Sequence, residues 1–524
     1  MKTLTRVTAA AFCLALAAAV ASAAPASAKD DDGPLGEAID KILAAQSLQG
    51  SQADVVVSDA KTGDVIYDHN GDGRAIPASL TKTLTSTAAM DTLGPDFTFT
   101  TDVASTGTVR HHTLAADAYL RGTGDPTMLA ADYDKLAKSL ADKGIKRIDG
   151  DLVADDTAYD DTRLGLEWAW DDEPYYYAAP VSALTIAADD DYDAGSVVVT
   201  VKPGASEGDK PKVSFSTPSG YLKVDNRATT AAKGADSTLG VDRTHGGNTF
   251  VISGQIPVGA DPDQEWMAVW EPTGYATAVF RSALRDHGIT VSGHTRLGKP
   301  TPSGAKSLAT HDSMPLSKLL VPFLKLSNNS HAETLAKAIG RKVSGKGTWS
   351  AGLKQIRSYA SQHGVDTKTL IQADGSGESR RNFIPAKAFN DLLVGVRSEP
   401  WFDTWYNALP IACHSDRLDG GTLRSRMCDT PAEGNVHAKT GSMTGVNSLG
   451  GYVTDADGRQ LVFSIVLNDL VDDAVTGIQD SIAVTLASYK RGDAASVREL
   501  GKIPQPKRHA PNGLECSWVK PIVC

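Results

Sequence analysis

Past residue 50 the first apolar runs, Ala53 to Val57 and Asp64 to Tyr67, flank the turn residues Asp59-Ala60-Lys61-Thr62-Gly63 and predict a hairpin. From Ser79 to Leu93 the period changes: Leu80, Leu84, Ala88 and Leu93 recur at helical spacing, and Gly94-Pro95 stops the helix. Between residues 98 and 295 the pattern breaks into short strand-like runs, among them Val197 to Val201, Lys212 to Phe215 and Thr249 to Ile252, set in Gly, Asp and Ser clusters. Helical periods return after residue 310 over Leu316 to Leu326, Ala332 to Val343, Leu353 to His363 and Ala386 to Val396. Strands over Ser448 to Val453 and Leu461 to Leu467 and a helix over Gly477 to Tyr489 close the patterned part. The order predicts an α/β chain of the α+β kind, with an N-terminal part over 29–97, a β-rich insert over 98–295, a second part over 296–490 and a polar, proline-bearing tail over 491–524.

Composition adds a compartment. Lys2 and Arg6, the apolar run Ala9 to Val20 and the small-residue site Ala26-Ser27-Ala28 have the layout of a secretory signal peptide over 1–28, with Ala21-Ser22-Ala23 as a second possible cut. Export leaves Cys413, Cys428, Cys516 and Cys524, with no Cys-x-x-Cys pair or His partner at ligand spacing; they read as disulfides, and proximity favours Cys413 with Cys428 and Cys516 with Cys524 among three connectivities. The formal charge of −11 becomes −13 when Lys2 and Arg6 leave with residues 1–28, and no basic stripe marks a nucleic-acid or anionic-lipid partner. Nothing in the chain sets an oligomeric state. About 500 residues exceed what one core organises, so more than one domain is expected. The run Asp189-Asp190-Asp191-Tyr192-Asp193 completes no calcium-loop pattern and reads as a solvated loop.

Chemistry enters through three short motifs in chain order: Ser79-x-x-Lys82 at a helix start, Ser327-x-Asn329, and Lys439-Thr440-Gly441. Three residues are close to one helical turn, so Ser79 and Lys82 share a face and the lysine can serve as base to the hydroxyl if its surroundings keep it neutral. Ser58-Asp59-Ala60-Lys61, Ser303-Gly304-Ala305-Lys306 and Lys61-Thr62-Gly63 fit the same short patterns but stand in turns or in the wrong order, and Gly204-Ala205-Ser206-Glu207-Gly208 lies in a polar loop between two prolines rather than on a strand-to-helix turn.

The trio resembles the signature of penicillin-interacting serine DD-peptidases and serine β-lactamases. Flanking runs narrow it: Ser327-Asn328-Asn329-Ser330-His331-Ala332-Glu333, Asp374-Gly375-Ser376-Gly377 with Ser379-Arg380, and Gly450-Gly451-Tyr452-Val453 are similar to the class C low-molecular-mass penicillin-binding proteins, the D-Ala-D-Ala carboxypeptidase/endopeptidase family S13, in its actinomycete form. The resemblance spans roughly residues 35 to 490. It implies a penicillin-binding transpeptidase-like domain, an antiparallel sheet between helical layers, interrupted between the first two motifs by a large insert itself split in two; here 247 residues separate Ser79 from Ser327. It also implies peptidoglycan stem peptides as substrates, β-lactams as covalent inhibitors, and no cofactor or metal. Ser79 would be the nucleophile and Lys82 its base. Ser327 would relay a proton between Lys82 and Lys439, and Asn329 would orient Lys82 on one side and the substrate amide on the other. Lys439, Thr440, Gly441 and Ser442 would bind the substrate carboxylate, with the backbone N–H groups of Ser79 and Ser442 as oxyanion hole. A diaminopimelate side chain, ending in an amine and a carboxyl group, calls for an acid and a cation: Asp172 and Arg380, walled by Tyr177, Trp170 and Met443. Glu378 stands where the pattern has an apolar residue.

Two other classes remain open at this point. A β-lactamase needs a second base for deacylation, and Glu333 and Glu378 lie between the second and third motifs without the loop pattern that would mark one. A non-catalytic wall-binding protein of the same fold would not need the three motifs together.

Overall fold

The computed structural model describes residues 33–471 and 475–491. The signal-peptide reading, Cys516 and Cys524 lie outside them. The backbone of the half that carries the three motifs is a five-stranded, wholly antiparallel sheet in the spatial order Val65–His69, Gln52–Asp59, Gln460–Asn468, Val446–Thr454, His437–Met443. Its central strand reads Gln-Leu-Val-Phe-Ser-Ile-Val-Leu-Asn, nearly continuous in apolar residues, because both faces are covered. Leu461, Phe463, Ile465 and Leu467 join one buried cluster and Val462 and Val466 the other, as the period of two demands.

One face carries the helix Gly33–Leu43, which the apolar pattern did not announce, and the last helix Thr476–Ser488. The opposite face carries the helices Lys82–Leu93, Leu316–Lys325, Asn329–Ser344, Trp349–Gln362 and Ala386–Gly395. At the centre of that layer, Lys82–Leu93 is buried from Lys82 to Met90. Its polar run survives burial because each hydroxyl is occupied: Thr83 bonds the Leu80 carbonyl at 2.8 Å, Thr87 the Thr83 carbonyl at 2.7 Å, Thr85 the Gly375 carbonyl at 2.7 Å, and Ser86 accepts from Trp405 Nε1 at 2.8 Å.

The insert is larger than the apolar pattern predicted. Strand Thr295–Leu297 pairs with Leu152–Asp155, and Lys306–Asp312 pairs with Thr100–Ser105 at the edge of the same five-stranded sheet, so the insert closes at Asp312 rather than at residue 295. Such edge strands show little apolar alternation of their own; the partner strand decides them. The insert also holds two helices that the strand-like reading passed over, Ala130–Asp142 and Pro272–Asp286; in the first, Tyr133, Leu136, Ala137 and Leu140 repeat at helical spacing. A second group of sheets over residues 196–268 interrupts the first, and the two groups share one apolar core.

The aspartate run 189–193 is not a solvated loop. Asp191 and Asp193 are buried, and the segment packs against the Ser327 motif. Asp189 accepts from Trp266 Nε1 at 2.6 Å, Asp191 from the Arg417 guanidinium at 2.5 Å, and Asp193 from Asn328 Nδ2 at 3.0 Å. The three carboxylates converge within 4.8 Å of one another, with Arg417 as a counter-charge. Cys413 and Cys428 are joined in a disulfide. Among the described residues no helix is long and apolar enough to cross a membrane.

Candidate active site

Ser79 lies in a 3₁₀ turn, Ala78–Thr81, that runs into the helix beginning at Lys82. The turn is entered through Ala78 at φ 47°, a left-handed conformation that costs a non-glycine residue roughly 1–2 kcal/mol and persists only where the surroundings impose it. Three elements impose it. Ser448 Oγ donates to the Pro77 carbonyl at 2.6 Å. Gly441, on the facing strand, approaches so closely that a Cβ would stand 2.7 Å from the Pro77 carbonyl oxygen and 2.9 Å from the Leu80 nitrogen. Gly377, at φ 92°, lies against the Ala78 carbonyl, where a Cβ would come within 1.9 Å.

Within this frame Lys82 is fully buried, and its Nζ donates to Ser79 Oγ at 2.7 Å, to Asn329 Oδ1 at 2.6 Å and to the Ser376 carbonyl at 3.0 Å. A second lysine–hydroxyl pair stands opposite: Lys439, also fully buried, donates to Ser327 Oγ at 2.8 Å and to the Thr440 carbonyl at 2.7 Å. Ser327 takes φ 58° at the end of the helix Leu316–Lys325, and Asn328 caps the next helix by accepting from the His331 N–H at 3.3 Å. This tight junction sets Ser327 Oγ against Lys439 Nζ and, two residues on, Asn329 Oδ1 against Lys82 Nζ. Asn328 Nδ2 bonds the Tyr192 carbonyl and Asp193, so the insert supports the motif from behind.

The loop Asp374–Ser379 faces Lys82 and is held by two buried acids. Glu333 accepts from the Gly375 N–H at 2.9 Å, the Ser376 N–H at 2.7 Å and Trp349 Nε1 at 2.6 Å. Burial, together with Asp374, pushes the Glu333 carboxyl above its ordinary range. Asp374 accepts from the Gly377 and Ser379 N–H groups, from Asn382 and from Trp168 Nε1. Neither acid was assigned a positioning role from the sequence; the only signal was their place inside the runs Ser-Asn-Asn-Ser-His-Ala-Glu and Asp-Gly-Ser-Gly.

Tyr177 OH donates to Asp172 at 2.9 Å, and burial raises the Asp172 carboxyl while the Tyr177 hydroxyl and the Arg380 charge lower it. Arg380 reaches across to the Thr444 carbonyl at 2.9 Å, beside Met443 at the end of the Lys439 strand. Thr440 Oγ1 donates to Thr422 at 2.8 Å, and Ser442 Oγ donates to Asn447 Oδ1 at 3.4 Å. Trp170 leaves 72% of its surface exposed and leans on the His245 ring at 4.7 Å, on the outer lip rather than in the buried part of the site. Glu378, by contrast, is buried, and its Oε2 accepts from Asn329 Nδ2 at 3.0 Å.

The model of the D-Ala-D-Ala carboxypeptidase 3 (S13) family matches residues 35–489. The chain belongs to that family. It is 43% identical to a D-alanyl-D-alanine carboxypeptidase of Actinomadura sp. (strain R39) over 488 residues, which cover 93% of this chain and 90% of the relative. Its fold is similar to the crystal structure of penicillin binding protein 4 from Haemophilus influenzae, with a TM-score of 0.75 at 27% identity, over 86% of this chain and 99% of that one. The same Haemophilus protein complexed with a β-lactam gives a TM-score of 0.69 at 26% identity, with the same coverage of both chains. The family pattern thus spans both halves of the transpeptidase-like domain and the insert between them.

Proposed function

We propose that this S13 enzyme is a serine D-Ala-D-Ala carboxypeptidase of peptidoglycan stem peptides, working through an acyl-enzyme on Ser79, and that it also cleaves D-amino-acid cross-links. The observation that carries the reading is the Lys82 amino nitrogen, wholly buried, 2.7 Å from Ser79 Oγ and bonded to Asn329 Oδ1 at 2.6 Å. In its neutral amine form Lys82 takes the serine proton as Oγ attacks the carbonyl of the penultimate residue. The backbone N–H groups of Ser79 and Ser442 receive the oxyanion. The proton then passes to the departing D-alanine amine through Ser327, whose hydroxyl Lys439 holds at 2.8 Å. Lys439, Thr440 and Ser442 bind the terminal carboxylate, and water releases the acyl group in a second step. A β-lactam enters the same first step and stays on Ser79.

On the acyl side, Asp172 and Arg380 read a side chain ending in an amine and a carboxyl group, with Tyr177 and Met443 beside it. The layout of residues 1–28 supports export, which places the enzyme where peptidoglycan is. The test is the intact mass of the mature protein after incubation with benzylpenicillin, alongside D-alanine release from a defined stem pentapeptide. A penicilloyl increment absent from Ser79→Ala and accompanied by D-alanine release is the expected result. No adduct on the wild type would sink the reading, and rapid turnover of the adduct would make it a β-lactamase. For the acyl side, Asp172→Ala is expected to erase the preference for donors with a free side-chain amine; an unchanged preference would remove Asp172 from the pocket.

A further inference from the structure

Glu378 is a buried carboxyl next to the chemistry, on the Asn329 amide. The Asn329 amide has two hydrogens, and both are taken in the free enzyme: Nδ2 donates to the Tyr177 carbonyl at 2.8 Å and to Glu378 Oε2 at 3.0 Å. Its oxygen is engaged by Lys82 at 2.6 Å. A donor peptide whose carbonyl is to bind this amide must therefore displace one of the two acceptors. The Tyr177 carbonyl is main chain, part of the 3₁₀ turn Tyr176–Ala178, and the residue is tied by its hydroxyl to Asp172 at 2.9 Å. Glu378 is a side chain with three rotatable bonds, so it is the acceptor that yields.

Where it would go is set by charge. Asp172, from the aromatic segment, and Asp374, from its own loop, both face Glu378 and oppose its ionisation, while Lys82, from the nucleophile helix, favours it. With burial as the largest cause, the carboxyl is pushed up to about 8. Asp172 raises the proton affinity of Glu378, and two such carboxyl groups are relieved by a cation placed between them.

We propose that Glu378 is a placeholder for the acyl donor: it holds the Asn329 amide hydrogen until the donor's carbonyl takes it, and donors whose side chain ends in an ammonium group draw it off toward Asp172. Glu378 is then a positioning and specificity residue, and no covalent step runs through it. The ammonium part rests on the acyl-side pocket proposed above.

The experiment measures second-order acylation of the mature protein from pH 6 to 10, with wild type, Glu378→Leu, Glu378→Gln and a Ser79→Ala control. The probes are benzylpenicillin, which carries no ammonium, and a pair of thioester donors with a free or acetylated side-chain amine. Glu378→Leu is expected to accept benzylpenicillin on the order of tenfold faster than wild type at pH 9, the usual worth of one hydrogen bond to a charged group. It is also expected to lose most of the wild type's preference for the free-amine donor. Wild-type acylation is expected to fall above about pH 8, as the ionised carboxylate tightens on Asn329 and favours the charged form of Lys82; Glu378→Gln should not show this fall. If Glu378→Leu does not fold, the Glu378→Gln profile decides alone. Rates for the variants within twofold of wild type at every pH overturn the placeholder. Failure of wild type to form any Ser79 adduct overturns the acyl-enzyme reading instead, so the two failures are distinguishable.

Discussion

Replacing Gly377 by alanine tests how tightly the loop Asp374–Ser379 sets the nucleophile. A Cβ at this position would lie 1.9 Å from the Ala78 carbonyl oxygen and 2.4 Å from its carbon, both main-chain atoms that no rotamer change can move aside. Restoring ordinary contact at 3.4 Å or more displaces the turn by over an ångström, and that turn carries Ser79. The φ of 92° adds a backbone cost of roughly 1–2 kcal/mol for any residue with a Cβ, and the overpacking another 1–3 kcal/mol. A misplacement of about 1 Å at a reacting atom lowers a rate by about 10²-fold, so acylation by benzylpenicillin is expected to fall by about that factor. Stopped-flow or fluorescent-penicillin acylation measures it, with thermal unfolding to show that the variant is folded at the assay temperature. A folded Gly377→Ala protein that acylates within threefold of wild type would refute the claim that this loop buttresses the serine.

Glu333→Ala leaves three buried donors, the Gly375 and Ser376 N–H groups and Trp349 Nε1, without their acceptor, and at about 1–3 kcal/mol each it is expected to cost at least about 3 kcal/mol in urea unfolding; a loss under 1 kcal/mol would contradict this role. The disulfide Cys413–Cys428 spans 15 residues, and converting both cysteines to serine is expected to lower stability by about 3 kcal/mol while leaving penicillin acylation unchanged. For Glu378, whose carboxyl is raised from 4.5 to about 8 on folding, the folded state holds a proton that the unfolded state has lost between those values; its contribution is complete below about pH 4.5 and disappears as the pH rises through about 8. Stability of wild type relative to Glu378→Gln is therefore expected to decline across that window, and parallel pH–stability curves would show the carboxyl is not perturbed.

The two inner strands Ser448 to Val453 and Leu461 to Leu467 were visible because both are covered on both faces and stand out as apolar runs whatever they pair with. The three motifs were visible for a related reason: Ser79-x-x-Lys82 places both side chains on one helix face within the chain's own local geometry, and Lys439-Thr440-Gly441 lies along one strand. What local pattern could not carry is anything whose partner is remote. The strand Lys306–Asp312 belongs to the insert only because Thr100–Ser105 lies beside it, and Asp191 and Asp193 are buried only because Arg417 and Asn328 meet them. Glu378 is the sharpest case. In the sequence it is a charged residue out of pattern, and its sign predicts exposure. Only the folded chain, by closing 247 residues between Ser79 and Ser327 and laying the Asp374–Ser379 loop over the first helix turn, puts that carboxyl on the Asn329 amide. Burial and hydrogen-bond partners belong to tertiary contact rather than to residue type, so the sequence determined which groups do the chemistry and the fold decided which groups control them.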